Sequence, residues 1–134
     1  MKLTRRYRFS ASHRLDVSAL SPEENRRLFG KCNNPYGHGH DYVLDVTVEG
    51  APDASGQIVA RHALDALVGE RILQRLDHKN LNTDVAELAD AVPTTENLAS
   101  AIREMLAPDW PLAARLARVR VAETDRNIFE LEAS

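Results

Sequence analysis

Residues 38–49, His38-Gly39-His40-Asp41-Tyr42-Val43-Leu44-Asp45-Val46-Thr47-Val48-Glu49, read as a strand that carries chemistry at one end. Tyr42, Leu44, Val46 and Val48 fall on one face, with Asp41, Asp45, Thr47 and Glu49 opposite, the period-two alternation of a half-buried strand. Residues two apart on an extended chain point the same way, so both imidazoles of the His-Gly-His run can reach one ion. Gly39 keeps the space between them open, and His40 continues the apolar face of Tyr42 and Leu44.

A second alternating stretch lies upstream. Leu3, Tyr7, Phe9 and Ala11 share a face with His13, while Thr4, Arg6 and Arg8 share the other. His13 therefore ends one buried face as His40 ends another. If the two strands are neighbours, three imidazoles converge. Three neutral histidines suit Zn²⁺ and leave its fourth position open, the arrangement of a catalytic rather than a structural site. The competing reading is of polar loop histidines with no ligand.

Between these strands Ser21-Pro22-Glu23-Glu24 has the signature of a helix start, and Gly30, Asn33-Asn34-Pro35 and Gly37 mark a loop. After a turn around Pro52 and Gly56, Leu64, Leu67, Val68, Ile72 and Leu76 form a stripe of helical period. Pro93-Thr94 and Glu96 open a second helix, with Leu98, Ala101, Ile102, Met105 and Leu106 as its buried stripe. Ala117, Val119 and Val121 alternate with Arg118 and Arg120, and a last strand runs through Phe129 and Leu131. The order is ββ-αα-ββ. It predicts an α+β fold, a four-stranded antiparallel sheet with both helices on one face, in a single domain spanning 1–134. So small a sheet has two edges, which favours assembly into an oligomer.

Composition narrows the function classes. The chain has 134 residues, 43% hydrophobic and 28% charged, with a formal net charge of -3, so neither disorder nor a nucleic-acid partner is indicated. No apolar run approaches the roughly 20 residues of a membrane span, and Met1 through Arg6 contain no apolar core of a signal peptide. A single cysteine, Cys32, excludes an intrachain disulfide and fits a reducing compartment. The expectation is a soluble cytoplasmic chain.

Other residues admit two readings each. Cys32 is either a small buried apolar residue or a thiolate base whose pKa a cation or metal lowers. Asp77-His78 is either a helix C-terminus or an acid/base pair in which the carboxylate orients the imidazole. Glu123 lies on the face of Val119 and Val121, so it either frays into solvent or enters a pocket and accepts paired N–H donors, such as the amino-pyrimidinone edge of a pterin or guanine. Lys79, Arg14 and Lys31 are surface charges or phosphate contacts. His62 is read as an ordinary residue of a helix start.

Taken together, Phe9 through Leu15 (FSASHRL), Gly30 through Tyr42 (GKCNNPYGHGHDY), Leu76 through Asn82 (LDHKNLN), Pro93 through Asn97 (PTTEN) and Val121 through Thr124 resemble the 6-pyruvoyl-tetrahydropterin synthase family. The resemblance implies the tunnelling fold, in which subunit sheets join into a barrel, sites form between subunits, and assemblies are typically hexamers of two stacked trimers. It implies His13, His38 and His40 as zinc ligands, Cys32 as general base, and Asp77 with His78 completing the catalytic set. Glu123 then anchors the pterin ring, helped by Thr94 and Thr95. The implied reaction converts 7,8-dihydroneopterin triphosphate to 6-pyruvoyl-tetrahydropterin with elimination of triphosphate. A related alternative is 6-carboxy-tetrahydropterin synthesis in the queuosine pathway. The spacing from Cys32 to His38 resembles the pyruvoyl-forming type. A non-catalytic zinc- or pterin-binding module and hydrolysis by a zinc-bound water are the remaining readings. One departure from the family pattern is Ala60-Arg61 before the first long helix, because alanine is a poor N-cap.

Overall fold

The computed structural model describes residues 1–133. Strands β1 (Lys2–His13) and β2 (His38–Glu49) pair antiparallel along their whole length, from Lys2 opposite Glu49 to His13 opposite His38. β4 (Arg115–Ala122) lies on the other side of β2, and β5 (Ile128–Glu132) lies outside β4, both antiparallel. The alternation of Leu3 through His13 and of Tyr42 through Val48 therefore sets the register as expected. A register slip of one residue would turn every apolar side chain out of the core.

The sheet departs from the expected four antiparallel strands. A short strand β3 (Lys79–Asn80) runs parallel to β1, giving five strands among the described residues in the order β3-β1-β2-β4-β5. The reason is the free edge of β1. The Ser10 carbonyl accepts from the His78 N–H at 2.6 Å, the Asp77 carboxylate accepts from the Ser10 N–H at 2.9 Å, and the Ser12 carbonyl accepts from Leu81 at 2.8 Å. Backbone groups that would otherwise face solvent are thus paired. A two-residue strand carries no alternation by which sequence could reveal it.

Helix α1 (Pro22–Phe29) begins where expected. Ser21 accepts from the Glu24 N–H and the Glu24 carboxylate accepts from the Ser21 N–H, both at 3.1 Å, a reciprocal cap. It runs into a 3₁₀ turn, Gly30–Asn33, that holds Cys32. Gly37, at φ +81°, then brings the chain over the end of β1, where a Cβ would sit 3.0 Å from the His13 carbonyl oxygen. Only glycine allows both that conformation and that approach.

Helix α2 (Arg61–Val68) starts at Ala60 with no side-chain cap, so it forms despite the missing N-cap residue. It continues through a π-helical turn, Gly69–Leu73, into α3 (Gln74–Leu76). Leu64, Val68, Ile72 and Leu76 are spaced four apart and all fully buried. Four residues overshoot an α-helical turn by roughly 40°, and the wider π turn takes that drift back, holding the stripe on the sheet. Helix α4 (Thr95–Leu106) is capped by Thr94, whose hydroxyl accepts from the Asn97 N–H at 3.2 Å. Leu98, Ile102 and Leu106 meet Leu44, Val46, Val119 and Val121 in the core. No helix among the described residues is long and apolar enough to cross a membrane.

The helix-free face of the sheet is less open than the alternation predicts, for Asp45 is only 5% exposed. Its cross-strand neighbours close over it, Arg6 donating at 2.8 and 3.0 Å and Arg120 at 3.0 Å. Those bonds, from Arg6 foremost, hold the Asp45 carboxyl below the usual carboxylate range. A depressed folded pKa stabilises above the unfolded carboxylate pKa of about 3.9, and that stability is lost as pH falls through the folded pKa. Asp45→Asn is therefore expected to cost about 1–3 kcal/mol at neutral pH in urea unfolding. The gap to the unsubstituted chain should close in acid; a gap independent of pH would remove the ion pairs as its cause.

Candidate metal centre and active site

The β1–β2 register sets His13 directly opposite His38 and Ala11 opposite His40, so all three imidazoles gather at one end of the sheet. His13 is 1% exposed. Its Nδ1 lies 2.9 Å from the Pro93 carbonyl oxygen, which can only accept, so Nδ1 carries the proton. Nε2 is left with a free lone pair, buried and without a hydrogen-bond partner. Around it stand a carboxylate, a thiol and the His40 imidazole, while His38 reaches the group through His40 and not directly. Glu123 Oε1 is 3.7 Å from His13 Nε2 and 3.0 Å from His40 Nε2. His40 Nε2 in turn lies 3.5 Å from Cys32 Sγ and 3.3 Å from His38 Nδ1.

One ligand atom from each of His13, Cys32, His40 and Glu123 falls within 4.8 Å of all the others. An orphaned imidazole nitrogen, with its other nitrogen fixed by a carbonyl, is the arrangement by which proteins orient a metal-binding histidine. Burial pushes the His13 and His40 pKa values down, more than Glu123 and, at His13, the Pro93 carbonyl raise them, so both rings are held in the neutral form a metal requires. The donor set fits a divalent metal.

A cavity of about 500 Å³ opens on this cluster, lined by Lys31, Cys32, His38, His40, Thr95 and Glu123 among others. Glu123 follows directly on β4 and keeps the inward direction of Val119 and Val121, as the alternation predicts. Thr95 is 3% exposed and its hydroxyl has no partner, whereas the Thr94 hydroxyl is spent on capping α4. The bare Cys32 thiol is not activated here. Burial, then the negative charge of Glu123, push its pKa up.

Asp77 and His78 are not part of this cavity. Asp77 follows α3, with Oδ1 accepting from Ser10 N–H and Oδ2 3.6 Å from His78 Nε2. His78 takes a left-handed backbone (φ 60°), and its side chain is 81% exposed beside the β1–β3 edge. His62 is exposed in α2, as read. Two neighbours of the cluster left no mark in the sequence reading. The Pro93 carbonyl is backbone, and Tyr42, read only as core, places its hydroxyl 3.3 Å from His13 Nδ1.

A family model for 6-pyruvoyl tetrahydropterin synthase matches residues 2–134. The human protein named 6-pyruvoyl tetrahydrobiopterin synthase is 51% identical over 128 residues, covering 95% of this chain and 88% of that one. The guppy (Poecilia reticulata) protein of the same name is 48% identical over 127 residues, 94% of this chain and 86% of its own. The solved structure of Caenorhabditis elegans 6-pyruvoyl tetrahydropterin synthase superposes with a TM-score of 0.90 at 37% identity, covering 100% of this chain and 96% of that one. The chain therefore belongs to the 6-pyruvoyl tetrahydropterin synthase family and has its α+β tunnelling fold.

Proposed function

We propose that this chain, acting as one domain over 1–134, is a zinc-dependent carbon–oxygen lyase that converts 7,8-dihydroneopterin triphosphate to 6-pyruvoyl-tetrahydropterin with release of triphosphate. The observation that carries the reading is one cavity in which imidazoles, a thiol and a carboxylate meet, in a chain of this family. Zinc held by His13, His38 and His40 supplies Lewis-acid chemistry to the substrate side chain.

The chain's own residues do the rest. Glu123 accepts the paired N–H donors of the pterin edge, and the unpartnered Thr95 hydroxyl adds a contact at the start of α4, with Thr94 beside it. Engaging the Glu123 charge with those donors weakens one of the two causes that keep the Cys32 thiol protonated. Cys32 then takes a proton from a side-chain carbon as general base. Asp77 and His78 come from a neighbouring subunit, His78 exchanging a proton on the other side while Asp77 holds its ring. The exposure of His78 in the single chain supports this division, and a hexamer of two trimers is the assembly that supplies it. The pterin ring itself takes up the reducing equivalents, so no redox partner is needed. A lone cysteine suits a cytoplasmic setting.

Incubation of the zinc-loaded protein with dihydroneopterin triphosphate and identification of the product tests the reading. A 6-pyruvoyl product is expected. A 6-carboxy product, simple dephosphorylation or no turnover would each replace it with another function.

Glu123 has a separate test, because its oxygen lies among the metal-binding atoms. Glu123→Gln is expected to weaken pterin binding roughly ten- to hundredfold, the loss of charge-assisted hydrogen bonds, while zinc content stays near that of the unsubstituted protein. Calorimetric titration and elemental analysis read the two separately. Zinc loss with unchanged pterin affinity would make Glu123 a metal ligand instead of the anchor.

A further inference from the structure

Three lysine or carboxylate side chains line the cavity among the described residues: Lys31, Glu96 and Glu123. Two are acidic, so of these side chains only Lys31 attracts a ligand carrying several negative charges. Lys31 is exposed and, among the described residues, forms no ion pair. The other basic residues flanking the family motifs face elsewhere. Arg14 leans on Asp16 at 3.5 Å and on the Asn33 carbonyl at 3.4 Å, in a separate hollow beside α1. Lys79 lies on β3 in the hollow that also holds His78, so it would reach a neighbouring site together with His78. Asp41 and Asp84 stand beside it there and offset its charge toward a polyanion.

Lys31 and Cys32 are consecutive in the 3₁₀ turn Gly30–Asn33. With about three residues per turn, neighbours there diverge by roughly a third of a circle, so both can border one cavity. With the pterin edge on Glu123 and Thr95, and the reacting carbons at Cys32 and the imidazoles, the group attached beyond those carbons leaves along the Cys32 turn. We propose that Lys31 is the specificity-determining cation that receives the triphosphate of the substrate, an assignment that rests on the pterin-lyase reading above. It selects phosphorylated over unphosphorylated pterins and takes no part in the proton transfers.

Zinc-loaded unsubstituted protein, Lys31→Ala and Lys31→Arg should be compared at low ionic strength. KM for dihydroneopterin triphosphate is expected to rise about tenfold or more in Lys31→Ala with kcat little changed, and to recover in Lys31→Arg. Competition by inorganic tripolyphosphate should weaken in parallel, while the affinity of unphosphorylated dihydroneopterin stays the same. An unchanged KM and unchanged tripolyphosphate competition in Lys31→Ala would overturn the assignment. So would an equal loss of affinity for the unphosphorylated pterin. If the unsubstituted protein does not turn over the triphosphate at all, the lyase reading fails. Calorimetric binding of tripolyphosphate to the two proteins then decides Lys31 independently: binding lost in Lys31→Ala supports it, and equal binding ends it.

Discussion

His40→Ala is expected to lose its divalent metal on dialysis and, with it, all measurable 6-pyruvoyl product. His40 Nε2 is the atom most closely surrounded in the cluster, with Glu123, His38 and Cys32 all within 3.5 Å. Removing it takes away one of the three proposed nitrogen donors, and the affinity loss should exceed the roughly 10–100-fold typical of losing only an outer orienting group. The fold should survive, because the His40 ring contacts only side chains of the cluster and no backbone group depends on it. His13→Ala should lose metal equally but also stability, since the Pro93 carbonyl then lies buried without its donor, at about 1–3 kcal/mol. Elemental analysis after zinc loading, with circular dichroism as the fold control, separates the two. A well-folded His40→Ala that still holds a full equivalent of zinc would remove the proposed triad. The pH dependence has a definite sign. Metal binding needs neutral imidazoles, so affinity falls as pH drops through their pKa values. Burial has lowered those of His13 and His40, so the part of the release driven by protonating these two rings should fall below the ordinary histidine value of about 6.5.

The parts of this site that are legible in sequence are those governed by period. Alternation along β1 and β2 places His13 and His40 on the buried face, and alternation along β4 carries Glu123 inward. Local caps are equally readable, since Ser21 with Glu24 and Thr94 with Asn97 act within three residues. What is not legible depends on partners remote in sequence or on the backbone. The Pro93 carbonyl that fixes the His13 tautomer has no side-chain signature, and β3 exists because the edge of β1 needs partners. Asp45 reads as solvent-facing until two arginines, each on a different neighbouring strand, close over it. The Asp77–His78 pair marks a different limit. Adjacency in sequence ties the two residues together, but the chain puts them on the β1–β3 edge and not in the Cys32 cavity, a separation that adjacency could not reveal.

Cys32→Ala is the sharper test of mechanism, because it should leave binding intact while chemistry fails. The side chain is small, partly buried and free of any disulfide, so truncation disturbs little packing. Zinc content and pterin affinity are expected to match the unsubstituted protein, and kcat to fall by roughly 10²–10⁴, the range for losing a positioned general base. The accompanying pH profile identifies the group. In the metal-free chain burial and the Glu123 charge raise the Cys32 pKa, and in the loaded enzyme a rate that needs the thiolate should climb with pH until the thiol is ionised. That rising limb should vanish in the alanine variant, whose residual rate no longer waits on the thiol. Metal loss on substitution would make Cys32 a ligand, consistent with its 3.5 Å approach to His40, and turnover retained with an unaltered profile would leave the base to be sought elsewhere. Each outcome assigns the sulfur one role, because a thiolate committed to a metal is not free to take a proton from carbon.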